Sequence, residues 1–178
     1  MARTKNSQGD GQHKKKVLFK VKVGDEYTEY KAVYGDIQIE GHTMGDKKDI
    51  KDVVRRIILA HKELPDYVVR AAVMVTNHIS SAVHSRAWEA WAGVGVEFGD
   101  DERLKLSASL YYYIDDDTDE AGWAGEVVAT FSGYDGLMVD ASHKVIKNVD
   151  FGPDVDVLAL YRTLLTVARH AYNAYPVV

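Results

Sequence analysis

Apolar residues recur at three- and four-residue steps in three stretches of the chain and at every second position in most of the rest. The first rhythm predicts helices and the second half-buried strands. Ile50, Val53, Val54, Ile57, Ile58, His61 and Leu64 share one helical face. Asp46 suits the N-cap of that helix and Asp49 its first turn, where the helix dipole favours anions; Pro65 ends it. Asp66 then opens a longer run, Asp66–Trp91, with Val68, Ala72, Val75, Ile79, Val83 and Ala87 on one face. Val69, Val73, Met74, Ala82, Trp88 and Trp91 widen that face, so the helix is expected to be buried over much of its circumference. Its β-branched start, Val68–Val75, could pair as a strand, but the run is longer than strands usually are. Polar residues interrupt it too often for a membrane span, which needs about 20 predominantly apolar residues. A third stripe, Val157, Leu160, Tyr161, Leu164, Ala168, Ala171 and Tyr175, predicts a C-terminal helix opened by Gly152-Pro153-Asp154 and closed by Pro176.

The alternating segments begin with Val17, Phe19, Val21 and Val23 on one face and Leu18, Lys20 and Lys22 on the other. Gly24-Asp25 is a turn, Glu26–Tyr34 can pair back, and Asp36–Glu40 is a short third strand. Beyond the helix pair, Val94, Val96 and Phe98 alternate in one strand, and Leu104, Leu106, Ala108, Leu110 and Tyr112 line the inner face of a long one, Arg103–Ile114. Trp123–Ser132 and Leu137–Ile146 form a hairpin around Gly133-Tyr134-Asp135-Gly136. The order β-β-β-α-α-β-β-β-β-α predicts an α+β fold. Consecutive strands on short turns should pair antiparallel, giving six or seven strands with the helical hairpin and the C-terminal helix mainly on one face.

The length of 178 residues suits one domain, residues 17–178, behind a polar, Gly-containing arm, residues 1–16, that is expected to be flexible. There is no cysteine, which excludes disulfides and thiol chemistry. Basic residues near the start without an apolar segment argue against a secretory signal, so a cytoplasmic location is the expectation. The net charge of −5 conceals an asymmetry. The first 22 residues hold seven of the 22 basic residues (Arg3, Lys5, Lys14, Lys15, Lys16, Lys20, Lys22) against one of the 27 acids, Asp10; they carry +6 and the remainder −11. A basic arm on an acidic body can engage nucleic acid or an acidic neighbour.

Three constellations could carry chemistry. Asp115, Asp117, Asp119 and Glu126 occupy positions 1, 3, 5 and 12 of a calcium-loop spacing, but Glu120 stands where the sharp turn needs glycine and the flanks read as strands; a solvated hairpin turn explains the same letters. The lysines, with Tyr27, Tyr30, Tyr111 and Tyr113 on strands, could follow phosphates and stack bases, although tyrosine is also an ordinary strand residue. Finally, His42 in the loop Gly41–Asp46, with His78 and His84, could serve a pocket between sheet and helices. No nucleophile elbow, P-loop or dinucleotide fingerprint is present; Gly93-Val94-Gly95-Val96 lacks the third glycine and opens a strand.

The leading expectation is a non-enzymatic binding or assembly protein. Its basic arm would contact nucleic acid or a neighbouring subunit, docking there on the acidic turns Asp100–Glu102 and Asp115–Glu120. A homo-oligomer, no cofactor and no membrane are expected, in the style of some viral and phage products. The alternative is a small hydrolase or ligand-binding domain.

Overall fold

The computed structural model describes residues 16–59 and 63–174. The strands are β1 (Leu18–Val23), β2 (Thr28–Tyr34), β3 (Ile37–Thr43), β4 (Glu89–Glu97), β5 (Arg103–Ile114), β6 (Ala121–Tyr134) and β7 (Asp140–Gly152). The helices are α1 (Lys47–Leu59), α2 (Asp66–His84) and α3 (Val157–Tyr172). All seven strands join one antiparallel sheet in the order β1-β2-β3-β7-β6-β5-β4, so the α+β fold and its element order are those the sequence predicts. The helices cover one face: α1 reaches β2, α2 lies on β4 and β5, and α3 lies on β5, β6 and β7.

The covered face is built row by row across the strands. Ala32, Ile39, Val145, Ala129, Leu106 and Val94 stand opposite one another from β2 to β4. Ile39, Val145, Ala129 and Leu106 are fully buried, together with Ile50, Ile57, Ile79, Leu160 and Leu164 from the helices. Each large aliphatic side chain so buried contributes about 1.5–3 kcal/mol. The expected stripe of α1 is buried as predicted: Ile50, Val53, Val54, Ile57 and Ile58. Asp46 caps it, accepting from the Asp49 N–H at 3.0 Å. His61 and Tyr175 lie outside the described residues.

Three expectations need correction. Helix α2 stops at His84 instead of running to Trp91. Arg86 adopts φ of 62°, which a right-handed helix cannot continue through; the Ser85 N–H donates to the Ser81 carbonyl and the Arg86 N–H to that of Val83. Trp88 and Trp91 fall at helical spacing by coincidence; Trp91 is already on β4, pointing away from the helices. Nor is α2 buried on most sides, since Val73 and Met74 face outward while Val68, Ala72, Val75 and Ile79 pack on the sheet. Pro65 is the N-cap residue of α2, with its carbonyl accepting from Val68 and Val69. Helix α3 starts later than Gly152-Pro153-Asp154 suggests. Strand β7 continues to Gly152, and the Asp156 carboxylate then caps the helix through Leu158 and Ala159 N–H at 3.0 and 3.2 Å.

Gly41 sits between Tyr30 and His143 in one cross-strand row on the covered face. A Cβ there would collide with the Ser142 carbonyl oxygen and lie 3.1 Å from His143 Cα, so only glycine lets β3 lie this close to β7. Gly41→Ala is expected to lower stability by about 3 kcal/mol. A drop in the urea midpoint at unchanged slope checks this; a change within error would show that the strands separate freely here.

Candidate functional site

The face away from the helices is uncovered, and its polar residues also line up across strands. Lys20 stands opposite Lys31, Lys31 opposite Glu40, Glu40 opposite Lys144, Lys144 opposite Thr130, and Thr130 opposite Lys105. One row over run Lys22, Glu29, His42, Ser142, Ser132 and Arg103. Between the two rows lie adjoining shallow depressions. One, of about 250 Å³, is bordered by Lys20, Lys22, Glu29 and Lys31; the other, of about 360 Å³, by Lys31, Glu40, His42, Ser142 and Lys144. Glu40 engages Lys144 at 3.7 Å and accepts from the Gln38 amide at 2.8 Å. Lys20 and Lys31 face each other as like charges, a pairing that weakens a sheet unless an anion lies between them. Acids stand on this face too: Glu29 and Glu40 within the basic rows, and Glu126, Asp150 and Glu89 towards the other end of the strands.

The sequence-predicted residues divide. Arg3, Lys5, Lys14 and Lys15 lie outside the described residues, and Lys16 stands two residues before the start of β1. Lys20 and Lys22 are on the uncovered face as expected. Tyr30 is not: it is 4% exposed on the covered face, so it cannot stack a base. Tyr27 is exposed in the β1–β2 turn with its ring 4.8 Å from that of His42. Tyr111 is exposed on the uncovered face opposite Glu89, in its acidic half. Tyr113 donates to Asp150 at 3.0 Å, and that hydrogen bond raises its pKa. Lys31, Lys144, Lys105 and Arg103, which complete the basic rows, were missed by sequence reasoning. Each lies at the polar parity of its strand, but only the strand order brings them together.

The acidic turn is a closed hairpin. The Asp115 carboxylate accepts from Asp117 N–H at 2.9 Å, and Asp119 N–H returns to the Asp115 carbonyl at 2.8 Å. Glu126 lies along β6 opposite Ser109, five residues before Ile114 on β5. Among the described residues no three His, Asp or Glu side chains converge to hold a metal ion. The three histidines do not converge either. His42 is on β3, not in a loop, and faces out from the uncovered side, whereas His78 and His84 are exposed on α2 beyond the other side. Among the described residues no helix is long and apolar enough to cross a membrane. A further depression of about 270 Å³ lies beside the end of α2, lined by Arg86, Trp88, Tyr112 and Trp123, whose rings stand in edge contact at 5.5 Å.

Sequence reasoning also missed a buried polar cluster. The Tyr30 hydroxyl is hydrogen-bonded to His143 Nδ1 over Gly41. Asp135, in the β6–β7 turn, accepts from Thr43 Oγ1 at 3.0 Å and from Leu137 N–H at 2.7 Å, and lies 3.9 Å from His143 Nε2. Arg56 of α1 lies against Gly136, its guanidinium filling the space a Cβ would need. Burial raises the Tyr30 pKa, and the Asp135 charge adds to it, so Tyr30 is the donor and neutral His143 the acceptor. Burial, then the positive charge of Arg56 and of His42, pushes His143 down to about 3. The Arg56 pKa is lowered by burial, against the pull of Asp135. Tyr30, His143 and Asp135 are all closed off from solvent, so the cluster holds the ends of β2, β3 and β7 to α1 and offers no open surface for a substrate.

An unfolded histidine titrates near 6.5, whereas His143 stays neutral in the fold to about 3. Between those values the unfolded chain takes up a proton that the folded chain refuses. Stability should therefore be fully present above about pH 6.5 and fall as pH falls through that window, by on the order of 3–5 kcal/mol in total. Urea unfolding of the wild type and of His143→Gln between about pH 7 and pH 4 isolates this term. Parallel slopes would show that His143 is protonated in the folded protein.

Comparison of the chain with models of known families, with characterised proteins and with solved structures finds no match. The functional reading therefore rests on the geometry of the uncovered face.

Proposed function

We propose that the chain is a non-enzymatic binding protein that takes a polyanion, single-stranded nucleic acid, on the β1-β2-β3-β7 half of its uncovered sheet face. The observation that carries this reading is the direct opposition of Lys20 and Lys31, continued past Glu40 by Lys144 and Lys105 along one row beside two adjoining depressions. A backbone of phosphates laid along those depressions would relieve the lysine repulsion. In sequence, Lys16 stands just before β1 at the edge of this half, preceded by Arg3, Lys5, Lys14 and Lys15 against Asp10. An antiparallel sheet often leaves one face simply to water. What speaks for a ligand is the gathering of Lys20, Lys22, Lys31 and Lys144 on one half of one face of a body that is acidic as a whole; Glu29 and Glu40 share that half, and Glu126, Asp150 and Glu89 lie towards the other end of the strands. The histidines and the closed polar cluster give no support to a hydrolase.

Binding of labelled single-stranded oligonucleotides across a salt series tests the proposal. Neutralising about four phosphates on the face predicts a slope of log affinity against log salt of about −3, and Lys31→Ala should reduce its magnitude by about 0.7. Because Lys31→Ala removes both the like-charge opposition to Lys20 and the opposite-charge one to Glu40, its melting temperature should hold while affinity falls. Absence of binding at low salt, or full affinity in Lys31→Ala, would end the nucleic-acid reading.

A further inference from the structure

We infer that copies of the chain associate head to tail, the free edge of β1 in one copy adding beside the free edge of β4 in the next and extending the sheet. Among the described residues these two strands are the ends of the sheet, and an edge strand presents backbone donors and acceptors on its outer side. Six successive antiparallel pairings separate them, so β1 and β4 run in the same direction. A neighbour that keeps the same face outward therefore meets β4 with a parallel β1.

The side chains of the two edges are complementary on both faces. Extending the existing rows by one strand sets Lys20 beside Gly95, Lys22 beside Glu97 and Leu18 beside Gly93 on the uncovered face. The covered face then brings Phe19 and Val21 beside Val94 and Val96, each only half-buried in a single copy. Both edges are also unusually apolar for free strands: Leu18 is 67%, Val23 72% and Trp91 65% exposed. The Trp91 ring lies alongside Gly93, next to Lys105, at the place where the incoming Leu18 would rest.

Charge selects this pairing over the symmetric ones. Two β1 edges paired antiparallel about Val21 would set Lys20 against Lys22, and two β4 edges paired about Gly93 would set Glu89 against Glu97. Like charges directly opposite destabilise a sheet, so these two symmetric registers are disfavoured while the β1–β4 register sets Lys22 beside Glu97. A contact between two different patches is heterologous and builds a closed ring or an open filament. The inference stands independently of nucleic-acid binding. Where both hold, the lysine row of one copy runs on into the next.

Charge exchange at the joint tests the inference. Sedimentation velocity of the full chain at low salt should show species above the 19.9 kDa monomer that grow with concentration. Lys22→Glu and Glu97→Lys should each weaken association about tenfold, and the double variant should recover it. Glu97 also pairs with Arg103 at 2.9 Å, so a second measurement avoids charge altogether. The chain has no cysteine, and the doubly substituted Lys22→Cys, Glu97→Cys protein should give a ladder of covalent oligomers with a short bismaleimide. Each single-cysteine variant should stop at dimers. A monomer at every concentration, association indifferent to both reversals, a double variant no better than the singles, or no ladder would each overturn the inference.

Discussion

The parity of one sheet governs this molecule. Successive side chains on a strand point to opposite faces, and the three helices bury only one of the two. Every strand must therefore place most of its apolar residues on the same side. Seven strands obeying that rule also assemble, on the other side, whatever polar residues occupy the alternate positions. The core row Ala32, Ile39, Val145, Ala129 and Leu106 and the basic row Lys20, Lys31, Lys144 and Lys105 are two consequences of one register. A slip of one residue in any strand would turn its share of the core outward and break the basic row with it.

The rule is relaxed on the uncovered face at Leu18, Val33, Ile146, Val128 and Trp91, and on the covered face at one buried polar cluster. Tyr30, Thr43 and His143 are polar residues at covered positions, and Asp135 joins them from a turn. Tyr30 pairs with His143, Thr43 with Asp135, and the Asp135 carboxylate with the Leu137 N–H, while His143 Nε2 faces Asp135 at 3.9 Å without a hydrogen bond. Gly41 makes this possible by leaving the tyrosine room to cross β3. The cluster pins β3 to β7, the junction where the sheet passes between strands distant in sequence. That junction is also where Glu40 meets Lys144, so the buried polar contacts hold the two halves of the basic row in line.

Where local pattern and global structure agree, the sequence was readable. The stripe Ile50, Val53, Val54, Ile57, Ile58 and the alternation Leu104, Leu106, Ala108, Leu110 each belong to one element with one buried side, and both appear as expected. The end of α2 was hidden because Trp88 and Trp91 fall at helical spacing while serving a turn and an edge strand. The burial of Tyr30 was hidden because β2 buries Thr28, Tyr30 and Ala32, a weakly apolar set whose polarity shows mainly in Glu29 and Lys31 between them. The basic rows were unreadable from spacing, since Glu40 and Lys144 become neighbours only through the β3–β7 pairing. The acidic turn misled in the opposite way: its calcium-like spacing counts along the chain, but Glu126 is carried down a strand away from Asp115.

The most direct measurement of the central claim, that the uncovered face is the binding surface, is a map of backbone amide shifts on titrating an isotopically labelled chain with a short single-stranded oligonucleotide. The account predicts that the perturbed amides cluster on Lys20–Lys22, Glu29–Lys31, Glu40–His42 and Ser142–Lys144, with α2 and α3 silent. Perturbations centred on the helices or on the Trp88 depression, or no perturbation at low salt, would contradict it.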